Sequence, residues 1–288
     1  MKSSLKNEDV QKRYWEMIQE KLNVHWKDFP MTSSASQLRS ERESNILLHL
    51  RKLREGILAS QRKDEFALSV YETSFYSALI FHSSLHASTS LSHLPELYSS
   101  LLFKPHPKLS VDQVRSRAET LATISLIFHL DESFPSQGTY YRHVRSLEPL
   151  HLDWNSNMLK WISSLRASAV WKNYARCELL TRHSRVVGLL ENLSGVSEKE
   201  KHLIETSLRA VIDALRQKLR NSAWVILRFS YRELTINADT DTAAWLSRSL
   251  MLDSIGGIKG IGVEEWMKQK HSEQQVIAKD EERWTLRR

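Results

Sequence analysis

The stretch EEWMKQKHSEQQVIAKDEERWTLRR, residues 264–288, decides how this chain is built. Val263, Trp266 and Met267 share one face of a helix. Val276-Ile277-Ala278 then reads as a strand, Lys279–Glu282 as a charged turn, and Trp284-Thr285-Leu286 as a second strand. Trp284 and Leu286 alternate with Thr285, so the hairpin has one apolar face. Two strands alone, about 275–279 and 283–287, are marginal in water. Leu234-Thr235-Ile236 supplies a third. Between them, Asp239 or Asp241 caps a helix through Trp245, Leu246 and Leu250. Gly256, Gly257, Gly260 and Gly262 then make a turn into a helix at VEEWMKQKH, residues 263–271.

Working back from this end, almost everything reads as helix. The 288 residues are 41% hydrophobic, enough for one large core or two smaller ones. Eight Gly and six Pro fall well below the usual share of about 7% and about 5%, which favours long helices. All six prolines lie within the first 149 residues, and four of the eight glycines crowd into 256–262. Apolar residues at helical spacing mark helices over 8–25, from about 40 (Ile46, Leu47, Leu50, Leu53, Ile57), and over 86–102, 111–130, 155–169 and 170–184. In the last two, Trp171, Tyr174, Leu179 and Val186-Val187 are expected to continue the burial. One long helix over 200–229 follows, with Arg209, Arg216, Lys218 and Arg220 on its polar face. Ser110 is placed to cap one helix, and Ser197 with Glu200 has capping-box spacing. Residues 30–36, 104–110 and 131–140 read as loops. The domains expected are an N-terminal helix and linker at 1–39, a helical array at 40–230, and a unit at 231–288. Its order of helix, strand, helix, turn, helix, strand, turn, strand is that of a winged helix.

Chemistry is sparse. His82, His86 and His93 recur at i, i+4 and i+11, but no cysteine or carboxylate stands near enough to complete a zinc set. GGIKGIG, 256–262, lacks the Gly-Lys-Ser/Thr ending and the preceding strand of a phosphate loop. Cys177 lies mid-helix among apolar residues and reads as a buried structural thiol. As the one cysteine it allows no intrachain disulfide, which suits a reducing compartment, nucleus or cytoplasm. The N-terminal segment shows no apolar h-region, and the run at 121–130 is too short to cross a bilayer. The formal net charge is +7. Arg176, Arg182 and Arg185, then Arg216, Lys218, Arg220, Arg228 and Arg232, are the candidate nucleic-acid contacts, with Trp171, Tyr174 and Tyr231 interleaved for stacking. Val276, Ile277, Trp284 and Leu286 on the closing strands are the candidate protein contacts. No catalytic residue, metal site or cofactor is expected.

Four blocks resemble the PCI superfamily, and its GANP-type branch of mRNA export scaffolds in particular. LRKLREGILASQRKDEFALSVYETS (50–74) is similar to that branch's basic helix and "VYE" helix start. HLPELYSSL (93–101) stands where the family has a helix ending in "LY". WISSLRASAVWKNYARCELL (161–180) resembles its small-residue helix and "NY.RF" pair, with Cys177 where phenylalanine is usual. WLSRSLMLDS (245–254) resembles its first winged-helix segment. The resemblance implies a mainly α fold, a right-handed TPR-like helical-repeat array followed by a C-terminal winged helix with a small antiparallel sheet. It implies a non-catalytic scaffold subunit whose partners are other PCI-type or small adaptor subunits, and RNA or DNA, with no membrane. The alternative implied is a structural subunit of a proteasome-lid or signalosome-type assembly.

Overall fold

A computed structural model describes residues 4–30, 36–103, 109–191, 193, 196–236, 241–255, 260–280 and 282–287. The chain is mainly helical, with a small three-stranded antiparallel sheet near its C-terminus. The helices are α1 (Glu8–Asp28), α2 (Gln37–Ala59), α3 (Glu65–Ile80), α4 (Ser84–Leu91), α5 (Leu94–Phe103), α6 (Val111–Ser133), α7 (Gly138–Ser146), α8 (Asn157–Val170), α9 (Tyr174–Leu180), α10 (His183–Leu189) and α11 (Glu198–Ser230). Their starts are written in polar side chains. Asn7, Ser36, Asp64, Ser156 and Asn173 each accept a first-turn backbone N–H. Ser110 with Gln113, and Ser197 with Glu200, form complete capping boxes.

Several helices stop without glycine. Gln61, His82 and Lys172 sit at positive φ just past α2, α3 and α8. The following residue then donates back to the last turn, as Asn173 N does to Ser168 O at 2.8 Å. This is how a chain with eight glycines makes so many reversals. Two helices that periodicity alone runs together are broken. The helix expected at 170–184 starts only after the turn at Trp171–Asn173, where Asn173 caps α9, and is cut at Thr181-Arg182 before α10. The segment 86–102 is cut at Ser92-His93, where Pro95 sits in the first turn of α5. The loop expected at 131–140 shrinks to 134–137. The expected loops at 30–36 and 104–110, the Asp239 cap and part of the glycine turn include positions 31–35, 104–108, 239 and 256–259, which lie outside the described residues.

Packing is more than sequential. α1 lies on α2, α2 on α3, and α6 on α7 and α8, while α11 returns to cover α3 and α6. α3 and α6 are therefore buried almost all round. Four of these helices meet at one buried charge pair. Arg117 of α6 binds Glu72 of α3, and Tyr98 of α5 donates its hydroxyl to the same carboxylate. Glu200 of α11 lies 3.4 Å from the Arg117 guanidinium. Burial alone would lower the Arg117 pKa, but Glu72 overrides it and holds the group charged.

The C-terminal unit contains β1 (Glu233–Thr235), α12 (Asp241–Ser249), α13 (Val263–Ser272), β2 (Val276–Ala278) and β3 (Arg283–Leu286). The sheet order is β1-β3-β2, with Leu234 opposite Trp284 and Val276 opposite Leu286. A second core forms here from Leu234, Leu246, Leu250, Trp266, Met267, Val276, Trp284 and Leu286, closed by Ala223, Trp224 and Leu227 of α11. The domain boundary expected at 230 coincides with the end of α11, but that helix's last turns already belong to the second core.

In the first core His129 and His143 stack with ring centroids 4.4 Å apart. His143 bonds the hydroxyls of Ser125 at 2.7 Å and Ser146 at 3.0 Å. Burial, then Arg142, pushes His129 down to about 4, and burial, then His129, pushes His143 down to about 3. Both rings stay neutral in the fold, whereas in the unfolded chain they take a proton near 6.5. The unfolded state therefore binds more protons below that pH, and stability falls as pH drops from about 6.5 towards 4. Urea midpoints at pH 7.5, 6 and 5 are expected to decline in that order. The double variant His129→Gln/His143→Gln is expected to decline less steeply.

Candidate interface around the C-terminal junction

The C-terminal unit meets the helical array at the end of α12. That helix closes with Met251 at positive φ, and Leu252 N donates to Ser247 O at 2.9 Å. Its last carbonyls point into protein rather than water and carry the negative end of the helix dipole. Two arginines one turn apart on α11 answer them. Arg216 Nη2 donates to Met251 O at 2.9 Å and Asp253 O at 3.1 Å, and Nη1 to Thr181 O at 3.4 Å. Arg220 donates from Nε to Leu250 O and from Nη2 to Met251 O, both at 2.8 Å. Its guanidinium stands 5.6 Å from the centre of the Trp266 ring. Burial and the neighbouring Arg220 charge lower the Arg216 pKa, yet an arginine keeps its proton.

This corrects the expectation for both residues. Arg216 is 1% exposed and Arg220 is buried, so neither belongs to a solvated basic face. The other nominated cations are scattered rather than gathered. Lys218 binds Asp131 at the end of α6. Arg182 is bidentate to the buried Glu178, at 2.7 and 2.9 Å. Arg228 Nε donates to Arg287 O at 2.7 Å, alongside β3. Arg176, Arg185 and Arg232 are exposed.

The nominated protein contacts also divide. Val276, Trp284 and Leu286 are buried in the second core, because the alternation that marks a strand also turns these side chains inward. Only Ile277, 40% exposed, faces out. The large exposed apolar side chains lie elsewhere. Val225, Ile226 and Phe229 form a stripe on the outer side of α11, and Tyr231 follows, its ring edge-on to Trp245 at 5.6 Å. Trp171, expected to be buried, is 82% exposed, and Leu179 is exposed too. Tyr174 bridges the two regions through a 2.9 Å bond to Ser222 Oγ. The signal was present at 223–229, AWVILRF, which is apolar on every side. A helix of that kind covers a core with one face and leaves the other for a partner.

Other nominated chemistry resolves into structure. His86 Nδ1 bonds Ser83 Oγ at 2.9 Å, His93 stacks edge-on against Tyr71, and His82 occupies the turn after α3. Among the described residues no group of three or more His, Cys, Asp or Glu is placed to hold a metal ion. Cys177 is buried, and burial pushes its thiol up to about 12, so it holds little thiolate at neutral pH. Gly260 is needed for close approach, since a Cβ there would stand 2.7 Å from Leu252 O and Ser254 N. No helix among the described residues is long and apolar enough to cross a membrane. No family model and no curated protein matches the chain.

Removing a guanidinium from the junction strands carbonyls that no water reaches. Arg216→Met is expected to cost about 3 kcal/mol or more, read as a lowered urea midpoint. Arg185→Ala, at an exposed position, is expected to stay within about 0.5 kcal/mol of the parent.

Proposed function

We propose that this chain is a non-catalytic scaffold subunit of the PCI type, GANP-like, serving a multiprotein complex in mRNA processing or export, in the nucleus or the cytoplasm. The observation that carries this reading is the C-terminal unit. Its order α11, β1, α12, α13, β2, β3, with β3 between the other two strands, supports reading it as a winged helix. Here that unit grows from the last helix of an α-helical array, as the sequence blocks at 50–74, 161–180 and 245–254 suggest for this superfamily.

On this reading the apolar stripe Val225, Ile226 and Phe229 meets a PCI-type or small adaptor subunit. The exposed cations Arg176, Arg185 and Arg232 then contribute to RNA or DNA contact. A second reading, a structural subunit of a proteasome-lid or signalosome-type assembly, draws on the same stripe and on the sheet's two short edges. On that reading a neighbouring subunit's strand pairs with such an edge.

Affinity purification of the intact chain followed by mass spectrometry separates the two. An mRNA-processing scaffold is expected to recover RNA-associated adaptor proteins, and a lid-type subunit a stoichiometric set of its own kind. Phe229→Asp is expected to abolish recovery in either case while leaving the thermal midpoint unchanged. In a salt series with single-stranded RNA, the triple variant Arg176→Glu/Arg185→Glu/Arg232→Glu is expected to bind more weakly and with a shallower salt slope. Equal binding by parent and variant would remove the nucleic-acid part of the proposal.

A further inference from the structure

A cleft of about 360 Å³ opens between α2, α3 and α4, far along the chain from the C-terminal unit. Its size is at the small end for a ligand site. At its base is Arg54, only 6% exposed. Every other buried arginine described above has strong partners: Arg117 has Glu72, and Arg216 and Arg220 have backbone carbonyls. Arg54 does not. Its guanidinium lies 5.7 Å from the centre of the Tyr71 ring and makes one long bond, Nη2 to Thr89 Oγ1 at 3.5 Å. Its Nε has no partner, and among the described residues it forms no ion pair. A buried cation left in this state is costly unless something else completes it.

The surroundings say what would. His86 and His93 also line the cleft, so its wall is rich in donors. The carboxylate in the lining, Glu55, is held by Arg51 at 2.9 Å near the mouth. Burial, with Arg54 and Arg51 behind it, lowers the His86 pKa, a direction that an incoming negative charge would reverse. The rim is aliphatic, made by Leu58 of α2 and Leu85 of α4, which is 71% exposed. One deep cation with leucines beside it suits a carboxylate on an apolar strand or helix. A phosphate backbone would gain nothing from the leucines.

We infer that this cleft is a docking site for a partner-protein segment in which an Asp or Glu side chain reaches Arg54 while a neighbouring aliphatic or aromatic side chain packs on Leu58 and Leu85. The inference does not rest on the scaffold proposal, because it uses no residue of the C-terminal unit.

The test is selection of twelve-residue peptides from a displayed random library on the intact, immobilised chain, followed by titration of the enriched peptide. Enrichment of an acidic residue adjacent to Leu, Ile or Phe is expected. Replacing that acid by its amide should weaken binding about thirtyfold or more, and Leu85→Asp should abolish binding with an unchanged thermal midpoint. Arg54→Met is expected to abolish binding while leaving the midpoint equal or higher, since an incompletely paired charge has been removed. A midpoint lowered by Arg54→Met as by Arg216→Met would make the residue structural and overturn the inference. So would enriched peptides lacking an acid, peptide binding indifferent to Leu85→Asp, or His86 ring signals that titrate with inorganic phosphate but not with the peptide.

Discussion

Two guanidinium groups inside the protein hold its halves in register. The sheet has three strands of three or four residues, too little to stand in water without support. It is supported because α12 ends against α11, and the carbonyls at that end are satisfied by Arg216 and Arg220. The arginines gain acceptors that let them be buried, and the helix end gains donors that let it leave water. Each side solves the other's desolvation problem, and the second core closes around the result.

Much of this was legible in the residues. Capping side chains mark where helices begin, and the boxes at Ser110 and Ser197 appear where their spacing says. Strand alternation at Trp284 and Leu286, and the third strand at Leu234, were equally plain. The direction an arginine faces was not. Arg216 and Arg220 lie one turn apart amid leucines, and nothing within α11 says that their acceptors arrive from residues 250–253. Burial at a helix surface is decided by what folds back onto it, which a local pattern does not contain. For the same reason Trp171 looked like core, although it caps the end of α8 and is exposed. The turns at Gln61 and His82 carry no glycine to announce them.

The net charge of +7 is likewise a poor map of the surface. Part of it is interior, and the interior uses it in three ways: against a carboxylate at Arg117, against carbonyls at Arg216 and Arg220, and against little more than a ring and a hydroxyl at Arg54. The first two complete the fold. The third leaves a charge in waiting. Patches that matter for association are then better sought in apolar side chains left outside, such as Phe229 and Leu85, and in cations left incompletely matched, than in the density of Lys and Arg along the sequence.

α11 runs 33 residues without a break, about 50 Å at 1.5 Å per residue. Its first turn touches the charge pair of Glu72 and Arg117, and its last turn forms a wall of the second core. A stiff rod anchored at both ends behaves as a beam. A tilt imposed at one end would be carried to the other, since no break interrupts the helix between them. The charge pair and the second core are thereby held at one spacing and angle, as parts bolted to one girder are.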